Sequence, residues 1–210
     1  MIQLPNIPER ACKPRKKGLT MVMDKGLSTQ EAQAMIDSSK DFIDIIKLGF
    51  GTAMITNNTK EKIKLYKNNN IQVYLGGTLF EAFLARDMFS EYIEYIKKLE
   101  LDTVEISDGS LHINHSEKCD YISLLSKQGI RVFSEVGYKS STNIIAPSKW
   151  IELMSKELDA GSWKVIAEAR ESGTVGLYRS GGEVRSDLIE EILTKIPKDK
   201  ILWEAPKKKQ

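Results

Sequence analysis

Cysteine is scarce in this chain: Cys12 and Cys119 are the only two in 210 residues. They lie far apart and belong to no CxxC or Cys/His ligand cluster, which excludes a structural zinc site and a dithiol redox motif. They read as reduced packing residues. Long apolar runs are also missing. Nothing approaches the ~20 residues needed to cross a bilayer, and the opening MIQLPNIPERACKPRKKG has no hydrophobic signal core, so a cytoplasmic location is expected. An excess of one charge is absent too. Lys+Arg 31 against Asp+Glu 29 leaves a net charge of +2, so no global field argues for nucleic acid or an anionic membrane as partner. Any anion binding must be local.

What is present is a normal globular composition, 41% hydrophobic, sufficient for one large core. Pro5, Pro8 and Pro14 break any helix in residues 1–18, which read as an extended basic lead-in to a single domain over 19–210. Seven strand-like stretches follow: LTMVMDKG, FIDIIKLG, IQVYLGG, TVEISDG, RVFSEVG, KVIAEARESG and ILWEAP. Helical segments separate them. Ser28 with Glu31 has capping-box spacing, and Thr59 opens a polar helix to about Asn69. A long amphipathic segment runs from Phe80 to about Leu99. Ser116 to Gln128 ends at Gly129, a helix stop. Ser148 is placed to cap Lys149 to Leu158, and a last helix spans about Glu183 to Lys195. The loop from Tyr138 to Pro147 is long enough to be a site loop or lid.

Strand and helix alternating about every thirty residues demands parallel strands with crossover helices. An open doubly wound sheet usually carries a GxGxxG phosphate loop, and none is present. A (β/α)8 barrel instead places functional side chains at the C-terminal ends of many strands. Asp24, Lys25, Lys47, Gly76-Gly77-Thr78, Glu105, Glu135, Glu168 with Arg170, and Glu204 all have that placement. The expected fold is therefore a TIM-type barrel with seven readable strands and no evident eighth βα unit.

Taken at period two, Ile166, Glu168 and Arg170 share one face of the sixth strand, and Val165, Ala167 and Ala169 the other. Glu105, Glu135, Glu168 and Glu204 close four successive strands. In a barrel their carboxylates converge, and like charges that close need a counterion. A hard divalent cation, Mg2+, is one neutraliser; ion pairing with Lys25, Lys47, Lys139, Arg170 and Arg185 is the other. Lys47 follows Ile43 and Ile45 on an inner face, which suits a proton-transfer group of depressed pKa or an anion clamp. Gly77 and Thr78 offer backbone N–H groups to a ligand. Ser172 and Gly173, with Arg170 and Arg185 nearby, suit an anion or phosphate. His112 and His115 read as surface-loop residues, and Trp150, Trp163 and Trp203 as packing between helices and sheet.

In order along the chain, KPRKKGLTMVMDKG, DIIKLGFGT, GGTLFE, VEISDG, SEVGYK, KVIAEARESG and WEAP resemble the phosphosulfolactate synthase family. The resemblance implies a (β/α)8 barrel that adds sulfite to phosphoenolpyruvate with magnesium, on the route to coenzyme M. Related barrels include a heat-stress-associated group, so a noncatalytic homologue or an enzyme for another phosphorylated carboxylate is the alternative. Under the resemblance, Lys47 is the first choice of general acid, with Lys25 or Lys139 second. Arg170 and Arg185 hold phosphate or sulfite, and the four glutamates are the candidate magnesium ligands. A homo-oligomer is expected.

Overall fold

A computed structural model describes residues 5–137 and 145–210. Its frame is one sheet of seven parallel strands in sequential order: β1 (Met21–Asp24), β2 (Ile45–Leu48), β3 (Gln72–Leu75), β4 (Thr103–Ile106), β5 (Arg131–Val136), β6 (Lys164–Ala167) and β7 (Ile201–Trp203). Every neighbouring pair is parallel, and β2, β4 and β6 are buried along their whole length. Strands covered on both faces read as near-continuous apolar runs, and IIKL and KVIA each carry a single charged residue.

The crossover helices are α1 (Thr29–Ser39), α2 (Thr59–Asn68), α3 (Gly77–Leu84), α4 (Phe89–Lys98), α5 (His115–Lys127), α6 (Pro147–Asp159) and α7 (Ser186–Leu193). The Ser28/Glu31 capping box forms as expected. Gly129 adopts φ +79° after α5, the left-handed stop a glycine permits.

Three helix expectations need correction. The segment from Phe80 to Leu99 is two helices, because the chain turns through Asp87 at φ 56°. Helix α6 starts after Ala146 with Pro147 in its first turn, not at a Ser148 cap; proline has no N–H to satisfy there. Helix α7 starts at Ser186, because Tyr178 and Val184 first pair as an antiparallel bridge.

The strand faces divide the core. Outward residues pack under the helices in two clusters, one around Ile46, Val73, Val104 and Ile122, the other around Val165, Ala167, Trp150 and Leu188. Inward residues form a separate plug of Ile45, Tyr74, Phe133, Ile166 and Leu202, bordered by Leu19, Met21 and Trp163. Trp163 therefore lies at the interior plug and not between helix and sheet as Trp150 does. Ile43 also departs from expectation: it belongs to the outer cluster, and only Ile45 shares the inner face with Lys47. An interior packed by alternate strand residues is the barrel arrangement. Among the described residues no pairing joins β1 to β7; a cavity of about 530 Å³ is lined by both edges.

Residues 5–18 form no helix or strand and are pinned by side chains. Arg15 pairs with Asp44 at 2.8 Å, and Lys13 donates to the carbonyls of Lys40 and Ile43. Cys12 is exposed and not a packing residue, whereas Cys119 is half-buried.

Candidate active site

Four of the five interior residues of the plug are followed, two positions on, by a charged residue at the C-terminal rim. Ile45 leads to Lys47, Phe133 to Glu135, Ile166 to Glu168, and Leu202 to Glu204. The two-residue period of a strand thus sets a charged layer directly above an apolar one. In that layer the Lys47 ammonium lies 2.9 Å from Glu105 Oε1, 3.3 Å from Glu135 Oε2 and 3.7 Å from Glu204 Oε1. Burial would by itself push the lysine pKa down. Glu105 and Glu135, helped by Tyr74 and Glu204, outweigh that effect and hold it well above the ordinary lysine range. The depressed pKa considered for Lys47 is therefore not what its surroundings produce.

Glu105 is seated by two further donors, the Gly77 N–H at 2.7 Å on Oε1 and the Tyr74 hydroxyl at 2.9 Å on Oε2. Glu135, Glu168 and Glu204 instead meet each other: one oxygen from each lies within 4.8 Å of the others. The group is composed of hard oxygen donors, which fits Mg2+ or a similar cation. The Glu204 pKa is raised by its burial and by the Glu135 charge; Lys47 and the Ala169 N–H, 2.9 Å from Oε2, act against that shift.

The backbone around this layer leaves little space. A Cβ on Gly77 would fall 2.1 Å from Ser107 Oγ and 3.0 Å from Glu105 Oε1, and one on Gly176, at φ +63°, would fall 1.9 Å from the Glu168 carbonyl oxygen. Gly77→Ala is therefore expected to displace Ser107 and unseat Glu105. Overpacking of this kind costs about 1–3 kcal/mol, or a fall of several degrees in the thermal midpoint at ~2–4 °C per kcal/mol. Differential scanning calorimetry checks this; an unchanged midpoint would mean that the α3 turn has room to give.

The remaining anticipated residues are more scattered. Lys25 is exposed and pairs with Glu171, and Thr78 is half-buried on the first turn of α3. Arg170 stands at φ 52°, which breaks the strand period at that residue, and lines the cavity between β1 and β7 with Lys25, Glu171 and Glu204. Ser172 is exposed and shares a hydrogen bond with Thr174. The Gly173 carbonyl accepts from Gln210 Nε2 at 2.9 Å, and Arg185 donates to the Gly176 carbonyl at 3.1 Å. Lys139, with most of the loop from Tyr138, lies outside the described residues.

Several supporting residues escaped the sequence reading. Lys118, on α5, is fully buried and donates to Asp108 at 2.8 Å and to the Glu135 carbonyl at 2.6 Å; it also pairs with Glu157 at 2.9 Å. A signal existed. Lys118 shares its helix stripe with Ile122 and Leu125, and Glu157 shares one with Trp150 and Met154, so each places a charge where the 3.6-residue period calls for an apolar side chain. His115 belongs to this group and not to a surface loop: it opens α5 with Nε2 3.2 Å from Glu157. His112 is exposed, as expected. Glu81 holds the loop after β4 by accepting from Ser107 Oγ and from the N–H groups of Ser110 and Leu111 at 2.6 and 2.5 Å. Asp24, already anticipated at the end of β1, holds the loop that follows by accepting from Gly26, Leu27, Tyr66 and Lys62.

Comparison with known proteins agrees with this layout. In solved structures, a 3-hexulose-6-phosphate synthase from Salmonella typhimurium superposes with a TM-score of 0.54 over 88% of this chain and 77% of its own, at 15% identity, a likeness of fold alone. In sequence, the phosphosulfolactate synthase of Methanothermobacter thermautotrophicus is 38% identical over 208 residues, 97% of this chain and 81% of that protein. The phosphosulfolactate synthase of Bacillus subtilis is 36% identical over 205 residues, with 96% and 81% covered. The family model described as (2R)-phospho-3-sulfolactate synthase (ComA) matches residues 8–210, which include every rim residue above. The chain belongs to the phosphosulfolactate synthase family.

Proposed function

We propose that this chain joins sulfite to phosphoenolpyruvate to give phosphosulfolactate, with Lys47 as the proton donor and Mg2+ held by Glu135, Glu168 and Glu204. The observation that carries the reading is a protonated lysine and a three-carboxylate group sharing one layer at the C-terminal rim. The sulfite sulfur forms a bond to the methylene carbon of the enol phosphate. The π pair moves to the phosphate-bearing carbon and spreads into the carboxylate, and that carbon then takes a proton. No group leaves, and the phosphate stays in place.

Lys47 suits the proton transfer because its surroundings keep it charged at neutral pH. Glu105, held by Gly77 and Tyr74, fixes where the ammonium points. Bound Mg2+ would supply Lewis-acid stabilisation of the negative charge that develops on the substrate carboxylate. Arg170 and Lys25, at the ends of β6 and β1, are placed to attract the phosphate and sulfite. Arg185, Ser172 and Gly173 shape the loop that carries Arg170, while Gly77 and Thr78 form the facing wall. Lys139 is the alternative donor.

The test is phosphorus NMR of phosphoenolpyruvate consumption in the presence of sulfite. Chelation with EDTA is expected to lower turnover at least ~10-fold, with recovery on adding Mg2+, since transition-state charge stabilisation is typically worth several kcal/mol. Calorimetric titration of Mg2+ into Glu168→Gln should show weakened binding. Full activity in EDTA would remove the metal from the proposal, and no phosphosulfolactate under any condition would remove the reaction.

A further inference from the structure

The barrel has a second end. At the N-terminal ends of the strands, away from the glutamates, lies a cavity of about 510 Å³. Six basic side chains line it: Lys13, Arg15, Lys16, Arg131, Lys164 and Lys200. Only two carboxylates, Asp44 and Asp199, accompany them, in a chain whose whole net charge is +2. The apolar plug of Tyr74, Phe133 and Ile166, closed at this end by Trp163, separates the cavity from the rim.

The two carboxylates do not neutralise the site. Asp44 is occupied by Arg15 at 2.8 Å and by the Thr20 N–H at 2.8 Å. Asp199 gives Lys164 its backbone carbonyl, and its charge favours the same amine without outweighing burial, so the cations remain in excess. Lys13 and Arg15 bind carbonyls of the α1–β2 segment and so build the cavity wall. Lys16, Lys200 and the Arg131 guanidinium have no hydrogen-bonded or ion-paired acceptor among the described residues. Arg131 is nonetheless positioned, because its guanidinium carbon lies 4.6 Å from the Trp163 ring centre; Lys164 Nζ lies 5.0 Å from the same ring. Burial holds both Lys13 and Lys164 below the ordinary lysine range despite nearby acids. A bound anion would reverse that direction by favouring the charged amines.

A solvated basic patch on a convex surface needs no ligand. A concavity is different, since cations crowded against low-dielectric walls repel one another and focus their field into the space between them. The volume falls in the range of small-molecule clefts, and a stacked arginine with lysines around it is the arrangement that receives phosphate oxygens. We propose that this cavity binds a small phosphorylated anion, received by Arg131 on Trp163 with Lys16, Lys164 and Lys200 around it. The proposal is independent of the reaction at the rim.

The probe is pyrophosphate, titrated without Mg2+ into the full chain at low ionic strength. Binding is followed by calorimetry and by the fluorescence component of Trp163, obtained by difference from Trp163→Phe. Saturable binding with a change in the Trp163 signal is expected, weakening as salt is raised. Arg131→Gln/Lys200→Gln should bind at least tenfold more weakly, and Lys16→Gln should show a smaller loss in the same direction. All three positions are exposed, and thermal midpoints will verify folding. Phosphosulfolactate formation should be unchanged in these variants when pyrophosphate is absent, so failure here and failure of the proposed reaction are separable. Equal binding by the double variant, or no heat and no Trp163 response in the wild type, would overturn the assignment. Tighter binding of a short DNA duplex through the same residues would overturn its small-ligand part.

Discussion

Replacing Lys47 by methionine is expected to lower turnover by about 10²–10⁴-fold, the range lost when a positioned proton donor is removed. Methionine keeps most of the stem that packs above Ile45 and beneath Gly76, so the change is chiefly one of charge and proton. Glu105, Glu135 and Glu204 lose a shared cation at 2.9, 3.3 and 3.7 Å. The discriminating variant is Lys47→Arg. Arginine keeps the positive charge among the carboxylates but does not give up a proton in the accessible pH range. If Lys47 is the donor, Lys47→Arg should restore folding stability and leave turnover low. If the arginine enzyme turns over like wild type in the phosphorus NMR assay, the lysine acts only through its charge and the donor lies elsewhere.

Lys118→Met carries the largest expected effect on stability. Lys118 and Glu157 are both almost completely buried and 2.9 Å apart, and removing one partner of such a pair typically costs ~3–5 kcal/mol because the other charge remains buried. The pH dependence identifies the cause. Burial pushes the Glu157 pKa up, but Lys118, with His115 and Ser134, more than reverses this and holds it below the usual carboxylate value. A depressed carboxylate contributes stability that is present above its unfolded pKa and lost as pH falls through the folded one. Without Lys118 the sign inverts: buried Glu157 favours its protonated form, and the variant is penalised only where the group must ionise. The stability gap between wild type and Lys118→Met, from urea denaturation, should therefore be widest near neutral pH and narrow below about pH 4–5. A gap independent of pH would mean that lost packing, not an unpaired charge, is responsible. Because Lys118 also holds the Glu135 carbonyl at 2.6 Å, turnover should fall with stability.

How much of this was legible in the sequence depended on whether the signal was local. The strands were, since runs such as IIKL and TVEI are bounded by turns and repeat at a spacing that only parallel crossovers satisfy. The capping box of α1 and the Gly129 stop were local too. The division of residues 77–98 into α3 and α4 was not, because a left-handed aspartate at position 87 leaves the apolar periodicity on either side intact. At the site, the strand-end position of Lys47 and the four glutamates was readable at period two. Their sorting was not, with Glu105 turned to Gly77 and Tyr74 while Glu135, Glu168 and Glu204 meet. The pKa direction of Lys47 depended on three carboxylates 58 or more positions away, beyond the reach of any local rule.

The sequence by itself determined the period of the elements and which residue types stand at the strand ends, because both follow from alternation along a single segment. Only the tertiary structure decided which of those charges share a site. Curling seven strands around one apolar plug brings Lys47 to Glu204 across 157 positions of chain, and it gathers six cations from four segments at the opposite end. Charge interactions depend on distance through space and on burial, and neither quantity exists until the sheet has curled around its interior.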